Sequence, residues 1–224
     1  MAEKDKIKLQ RAKTPNDLLK MKFETIQFEP GPFYDLLGHP EKRGVWLVWG
    51  QSQNGKTSFI MQLMKELSKH GKVIFDSIEE SYGQTLQNTI IREGLQNHKN
   101  ILFLRKESME DLSVRLSMRR SPDFVLIDSF QYTGFSFKEY KRFTEKHADK
   151  LIIFTSQADG KLPKGRTADS VRYDVDQKLF VRGFRAISLG RFKGPTCRYT
   201  IYEKGEKEFY GDEKTNENEK QITI

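Results

Sequence analysis

From residue 45 onward the chain alternates short apolar runs with longer segments in which apolar residues recur every three or four positions. The runs predict strands at 45–49, 73–77, 101–104, 124–128 and 151–155, and the periodic segments predict helices at about 56–69, 81–95, 108–119 and 136–147. In the first helix Phe59, Ile60, Leu63, Met64 and Leu67 share one face, and the pattern stops near Gly71. Near-continuous apolar strands separated by helices of this length mean an α/β fold with a mainly parallel central sheet covered on both faces. After Gln157 the texture changes. A polar, basic, glycine-containing stretch runs to about Asp176, and shorter strands follow near 177–181, 185–189 and 198–203. The tight connection Arg182-Gly183-Phe184 marks these as antiparallel strands extending the sheet at its C-terminal end.

The same pattern divides the chain. Residues 1–22 are polar and lysine-rich and are expected to form a flexible basic arm, with a short helix near Leu18 and Leu19. Residues 23–203 form the core, entered through a segment whose prolines and glycines among aromatics predict an ordered loop lying over it. Residues 204–224 are expected to be a charged, disordered tail. No internal repeat is present, and 224 residues suffice for one large domain with a full core.

Charge alters this picture locally. The net charge is +8, but residues 161–193 hold nine Lys/Arg against three Asp, while the chain from 203 to 220 holds seven acidic residues against four basic ones. A basic segment beside an acidic tail predicts a local polyanion-binding surface. No apolar run approaches membrane-spanning length, and the charged N-terminus predicts no secretory signal. One cysteine, Cys197, excludes an internal disulfide and fits a reducing cytoplasm, where it is expected to be a packed residue.

The chemistry begins after the first strand. Gly50, Gln51, Ser52, Gln53, Asn54, Gly55, Lys56 and Thr57 fit G-x-x-x-x-G-K-[ST], and Ser58 follows. Glycines let backbone N–H groups close around phosphate oxygens, Lys56 brings a point charge to the outer phosphates, and the Thr57 hydroxyl suits a Mg²⁺ ligand. The preceding strand and following helix are the context this loop requires. ATP with Mg²⁺ is the implied cofactor pair.

Three strand ends supply candidates for the rest of a site. The run Phe124-Val125-Leu126-Ile127-Asp128-Ser129 ends a buried strand in a carboxylate, placing Asp128 to hold the metal shell opposite Thr57. The run Val73-Ile74-Phe75-Asp76-Ser77-Ile78 leads to Glu79-Glu80-Ser81, on a strand expected beside the phosphate-loop strand. Glu79 there is a candidate base for an attacking water, while Glu80 suits a helix N-terminus. In Phe154-Thr155-Ser156-Gln157 a polar amide ends the next strand, and Gln157 is a candidate sensor of the terminal phosphate.

With these pieces in this order, residues 40–203 resemble the RecA-like ATPases, which include RecA and RadA recombinases, KaiC and DnaB-type helicases. Glu79-Glu80-Ser81 is similar to the RadA/KaiC branch, and Ser156-Gln157 to the helicase branch. Gly190-Arg191-Phe192-Lys193-Gly194-Pro195-Thr196 resembles a basic-x-basic-x-Gly-Pro-Thr segment of DnaB-like proteins. The resemblance implies a RecA-like P-loop fold, ATP hydrolysis between subunits of a ring or filament, and Arg191 and Lys193 acting on a neighbour's triphosphate. Relatives commonly place Lys first and Arg second. The order here is reversed, which leaves open which of the two is the finger.

The resemblance also implies that loops after the Asp128 and Gln157 strands face bound DNA, with single strands favoured and the strand preference left open. The candidates are Tyr132 for stacking and Lys161, Lys164, Arg166 and Arg172 for phosphates. Gln131, Phe135 and Phe137 lie in the same region. No motif for sequence-specific readout is present. Two readings stay open: a DNA-binding ATPase of recombination, repair or replication, and a KaiC-like nucleotide-switched assembly protein whose partner is protein. A small-molecule kinase would want an arginine-rich lid, and a processive helicase an extra collar domain.

Overall fold

The computed structural model describes residues 11–78 and 82–211. A short helix, α1 (Pro15–Leu19), precedes α2 (Pro32–Leu37), β1 (Gly44–Gly50), α3 (Lys56–Leu67), β2 (Val73–Ser77), α4 (Gln84–Glu93), β3 (Ile101–Arg105), α5 (Met109–Leu116) and β4 (Phe124–Asp128). A 3₁₀ turn (Phe130–Thr133) leads into α6 (Phe137–Lys146), β5 (Leu151–Asp159), β6 (Leu162–Pro163) and α7 (Arg166–Asp174). The chain continues through β7 (Gln177–Arg182), β8 (Arg185–Ser188), β9 (Arg198–Thr200) and α8 (Glu203–Tyr210).

The strands form one sheet in the order β3-β2-β4-β5-β1-β7-β8-β9, with β6 paired to β5. The pairs from β3 across to β7 are parallel, and β7–β8 and β8–β9 are antiparallel, as the spacing of the short C-terminal strands predicts. One expectation needs correction. β2, which leads to Glu79, pairs with β3 and β4 and is separated from β1 by two strands, β4 and β5. Sequence order does not give spatial order in a doubly wound sheet, where the chain can pass over neighbours before returning.

Two cores explain why the strands look uniformly apolar. Trp46 and Val48 face a layer holding Phe59, Leu63 and Leu67 of α3, while Leu47 and Trp49 face a layer holding Leu112 of α5, Tyr140 of α6 and Val171 of α7. With both faces covered, the period-2 alternation carries no polar positions. Serine side chains set two helix starts. Ser108 accepts from the Asp111 N–H, and Ser136 with Glu139 forms a reciprocal capping box. Gly94, left-handed at φ 69, stops α4.

Two further expectations change. The polar stretch before Asp176 contains α7, whose Ala168 and Val171, with Val175 just past its end, bury one stripe at helical spacing. Residues 204–210, expected as disordered tail, instead form most of α8, because Glu206 is drawn into a buried ion pair with Arg185. Residues 79–81 and 212–224, and the start of the N-terminal arm, lie outside the described residues. No helix among the described residues is long and apolar enough to cross a membrane.

Candidate functional site

The phosphate loop leaves β1 at Gly50, which is flanked in register by Gln157 of β5 and Val181 of β7. A Cβ at Gly50 would overlap the Val181 carbonyl, so only glycine permits strand and loop to pass this close. Gln53 has a positive φ of 65, and Gly55 lies at φ 91 just before α3 begins at Lys56. α3 therefore aims its N-terminal N–H groups into the loop, where its dipole favours an anion.

A cleft of about 330 Å³ forms here, lined by Gln51, Ser52, Gln53, Gly55, Lys56, Thr57, Ser58, Asp128, Gln157 and Phe184. Lys56, Thr57, Asp128 and Gln157, far apart in sequence, are brought together because β1, β4 and β5 run parallel and end at one edge. Lys56 Nζ donates to the Ser156 carbonyl at 3.4 Å, a long contact that a phosphate oxygen can replace. The Thr155 hydroxyl donates to Asp128 Oδ1 and fixes the carboxylate plane.

A Mg²⁺ fits this donor set. Among the described residues no group of three or more His, Cys, Asp or Glu could hold a metal unaided. The Thr57 hydroxyl and a single carboxylate among the described lining residues, Asp128, line the same cleft. That is the sparse protein contribution expected where phosphates and water complete the shell.

The cleft has a further supporting residue that no sequence motif marks. Gln131, in the 3₁₀ turn, donates through Nε2 to Ser156 Oγ (2.7 Å) and to the Lys164 carbonyl (2.9 Å), and its Oε1 accepts from Gln157 N–H (3.4 Å). It ties the loop after β4 to the loop after β5, and no spacing rule marks such a residue. Phe184 was likewise unanticipated as part of the cleft, since an aromatic in a tight turn carries no motif.

The predicted DNA residues separate into two groups. Tyr132 is exposed, and so are Lys161 and Lys164, on either side of β6, and Arg166 at the start of α7. Arg172 must be withdrawn. It is buried on α7, with Nε donating to Asp169 Oδ1 at 2.9 Å, so its charge is used inside the domain.

Arg191 and Lys193 follow β8 at the opposite sheet edge, roughly 15 Å from the phosphate loop at ~3.3 Å per strand residue. Both are exposed and neither lines the cleft. Arg191 Nη1 donates to Asp176 Oδ1 at 2.9 Å, and the segment after it is pinned by Gly194 N–H to the Leu36 carbonyl at 3.2 Å and Thr196 N–H to the Asp35 carbonyl at 3.0 Å. Glu79 lies outside the described residues. Ile78, just before it, donates its N–H to the Asp128 carbonyl at 2.8 Å.

Asp76 on β2 is a buried acid with a separate consequence. Burial pushes its carboxyl up to about 6, against the Glu107 N–H that donates to Oδ1. Because the folded value exceeds the unfolded one, the stability linked to this group is full below about pH 4 and is lost as pH rises through about 6. Asp76→Asn is therefore expected to raise stability by ~1–2 kcal/mol at pH 7 and to leave it unchanged at pH 3, read by urea denaturation at both. A loss at pH 7 would mean the carboxylate is a net stabiliser.

No protein-family model matches this chain, and no curated protein matches it. Among solved structures it is similar to the flagellar accessory protein FlaH from Methanocaldococcus jannaschii, with a TM-score of 0.54 at 14% sequence identity, over 78% of this chain and 90% of that one. At that identity the likeness is one of fold, and the fold is RecA-like: a mainly parallel α/β sheet with C-terminal antiparallel strands.

Proposed function

We propose that this chain is a Mg²⁺-dependent, ATP-hydrolysing member of the RecA-like proteins that works as an oligomer and binds DNA, with single strands favoured. The observation that carries the reading is the convergence of Lys56, Thr57, Asp128 and Gln157 on one cleft beside the phosphate loop. The loop N–H groups and Lys56 bind the triphosphate. Thr57 and Asp128 would hold Mg²⁺, which when bound neutralises charge on the outer phosphates. Asp128 is kept in orientation by Thr155, and the backbone at Gln157 is held by Gln131. Glu79 acts as general base toward water. Arg191 and Lys193, remote from their own cleft, complete a neighbour's.

Glu79→Gln removes the base and keeps the shape. It is expected to bind ATP as the unaltered chain does and to turn over ~10²–10⁴-fold more slowly. Unchanged turnover in a phosphate-release assay would assign the role to another group.

DNA binding is supported by Lys161, Lys164 and Arg166 beside Tyr132 at the edge where the cleft opens. Replacing the three cations by Ala is expected to weaken single-stranded DNA binding and to flatten the slope of log K against log[salt] by ~2, since each phosphate contact on a single strand contributes ~0.7. The assay also includes ATPase activity with and without DNA. A second reading, a nucleotide-switched assembly protein, draws support from the likeness to a protein described as a flagellar accessory protein. Absence of both salt-dependent DNA binding at low salt and stimulation by DNA would favour it.

A further inference from the structure

The turn between β7 and β8 reaches back to the phosphate loop. Asn54 Oδ1 accepts from the Gly183 N–H at 2.7 Å, and the Asn54 carbonyl accepts from the Phe184 N–H at 3.1 Å. Its Nδ2 donates to the Ser52 carbonyl at 3.0 Å. One residue thus joins the turn to the middle of the loop. The Phe184 ring closes against Gly55, where an added Cβ would stand 3.1 Å from Cδ1.

On its other side the turn is held by α8. Glu206, buried, accepts from Arg185 Nε and Arg198 Nη2. Burial alone would raise its carboxyl, but hydrogen bonds from Thr200, Arg185 and Arg198 outweigh this and hold it below the usual range, so it stays ionised. Tyr210 OH donates to the Arg182 carbonyl at 3.2 Å, and the Phe209 ring fills the space beside Gly183 so closely that a Cβ there would overlap it. The Phe184 carbonyl accepts from the Ile201 N–H at 2.8 Å, and the Ile201 carbonyl accepts from Gln62 on α3 at 3.3 Å. The turn is fixed from both sides.

A phosphate loop binds well only if its N–H groups already converge, because ordering them on binding subtracts from affinity. Residues 51–55 belong to neither β1 nor α3, so their shape depends on outside contacts. We infer that α8 is a positioning element for the phosphate loop: Glu206 fixes the 182–185 turn, and Asn54 transmits the position of that turn to residues 51–55. This rests on the nucleotide reading above. Glu206 touches no ligand in this scheme and acts through Arg185 and Asn54.

Coupling of this kind is reciprocal, so nucleotide should steady α8 as α8 steadies the loop. The direct test is amide hydrogen exchange on the full chain with and without Mg-ATP. Slower exchange is expected at 51–58 and also at 182–185 and 203–210. No protection at 51–58 would overturn the nucleotide reading itself. Protection at 51–58 with none at 182–185 and 203–210 would overturn the role of α8 alone. As a second measurement, Glu206→Gln is expected to weaken Mg-ATP binding about 10-fold, with KM rising more than kcat falls, and Glu206→Asp to recover part of the loss. A folded Glu206→Gln chain with lowered melting temperature and unaltered affinity would mean that the buried ion pair serves stability only. If that variant does not fold, the exchange measurement on the unaltered chain decides.

Discussion

Lys56→Ala is expected to weaken Mg-ATP binding by at least ~100-fold, to the point that titration calorimetry records no heat at micromolar protein. A hundredfold loss corresponds to ~2.7 kcal/mol, the size expected for one charge-assisted contact to phosphate in a partly desolvated cleft. The geometry supports so large an effect. Lys56 opens α3 and is half-buried, and among the described residues its ammonium makes one hydrogen bond, the long one to the Ser156 carbonyl. No other cation lines the cleft among the described residues, since Gln51, Ser52, Gln53, Thr57, Ser58 and Gln157 are neutral and Asp128 is negative. The folded core should be indifferent to the change, because Lys56 lines the cleft and belongs to neither hydrophobic core. A variant that keeps its melting temperature and also its ATP affinity would remove Lys56 from phosphate recognition.

Much of this site was legible because the determinants are local. The strand–loop–helix context of residues 45–67 is written in contiguous residues, and the carboxylate and amide that end their strands, Asp128 and Gln157, are read from strand ends alone. Parallel strands then bring those ends together without any further instruction from sequence. What could not be read is lateral. The position of β2 between β3 and β4 depends on which helix packs on which face. The Gln131 bridge and the Asn54 contact to the 182–185 turn join residues more than 20 positions apart with no shared pattern.

Charge misled in two places for one reason. Arg172 counts as +1 in a basic segment, but Asp169 lies one helical turn away and takes that charge inward. Glu206 counts toward an acidic tail, but it meets Arg185 and Arg198 and anchors a helix. A charge run reports composition, whereas pairing at helical or cross-element spacing decides exposure. For Arg172 the i,i+3 spacing to Asp169, together with the Ala168, Val171 and Val175 stripe, was present in the sequence as a usable signal.

Arg191→Ala carries the other large expected effect: loss of ATP hydrolysis by ~10³-fold with ATP affinity essentially unchanged. The argument starts from where Arg191 is not. It lies at the sheet edge opposite the phosphate loop and lines no part of its own cleft, so it cannot stabilise charge on a phosphoryl group bound there. Among the described residues its side chain pairs with Asp176, and the Arg191 side chain is 72% exposed. An ion pair that open to water holds its partners by no more than ~1 kcal/mol, so the guanidinium can leave Asp176 for a triphosphate at small cost. The segment around it is firmly set, because Gly194 and Thr196 are bonded to the backbone of α2, which makes Arg191 a short flexible reach from a rigid base. Lys193, two residues on and also exposed, would accompany it. If the finger acts on a neighbour, hydrolysis per chain should rise with total protein concentration, and mixing Arg191→Ala chains with Lys56→Ala chains should restore activity where an intact phosphate loop meets an intact finger. Activity strictly proportional to concentration in a monomer of proven mass, or no recovery on mixing chains shown to co-assemble, would refute action between subunits.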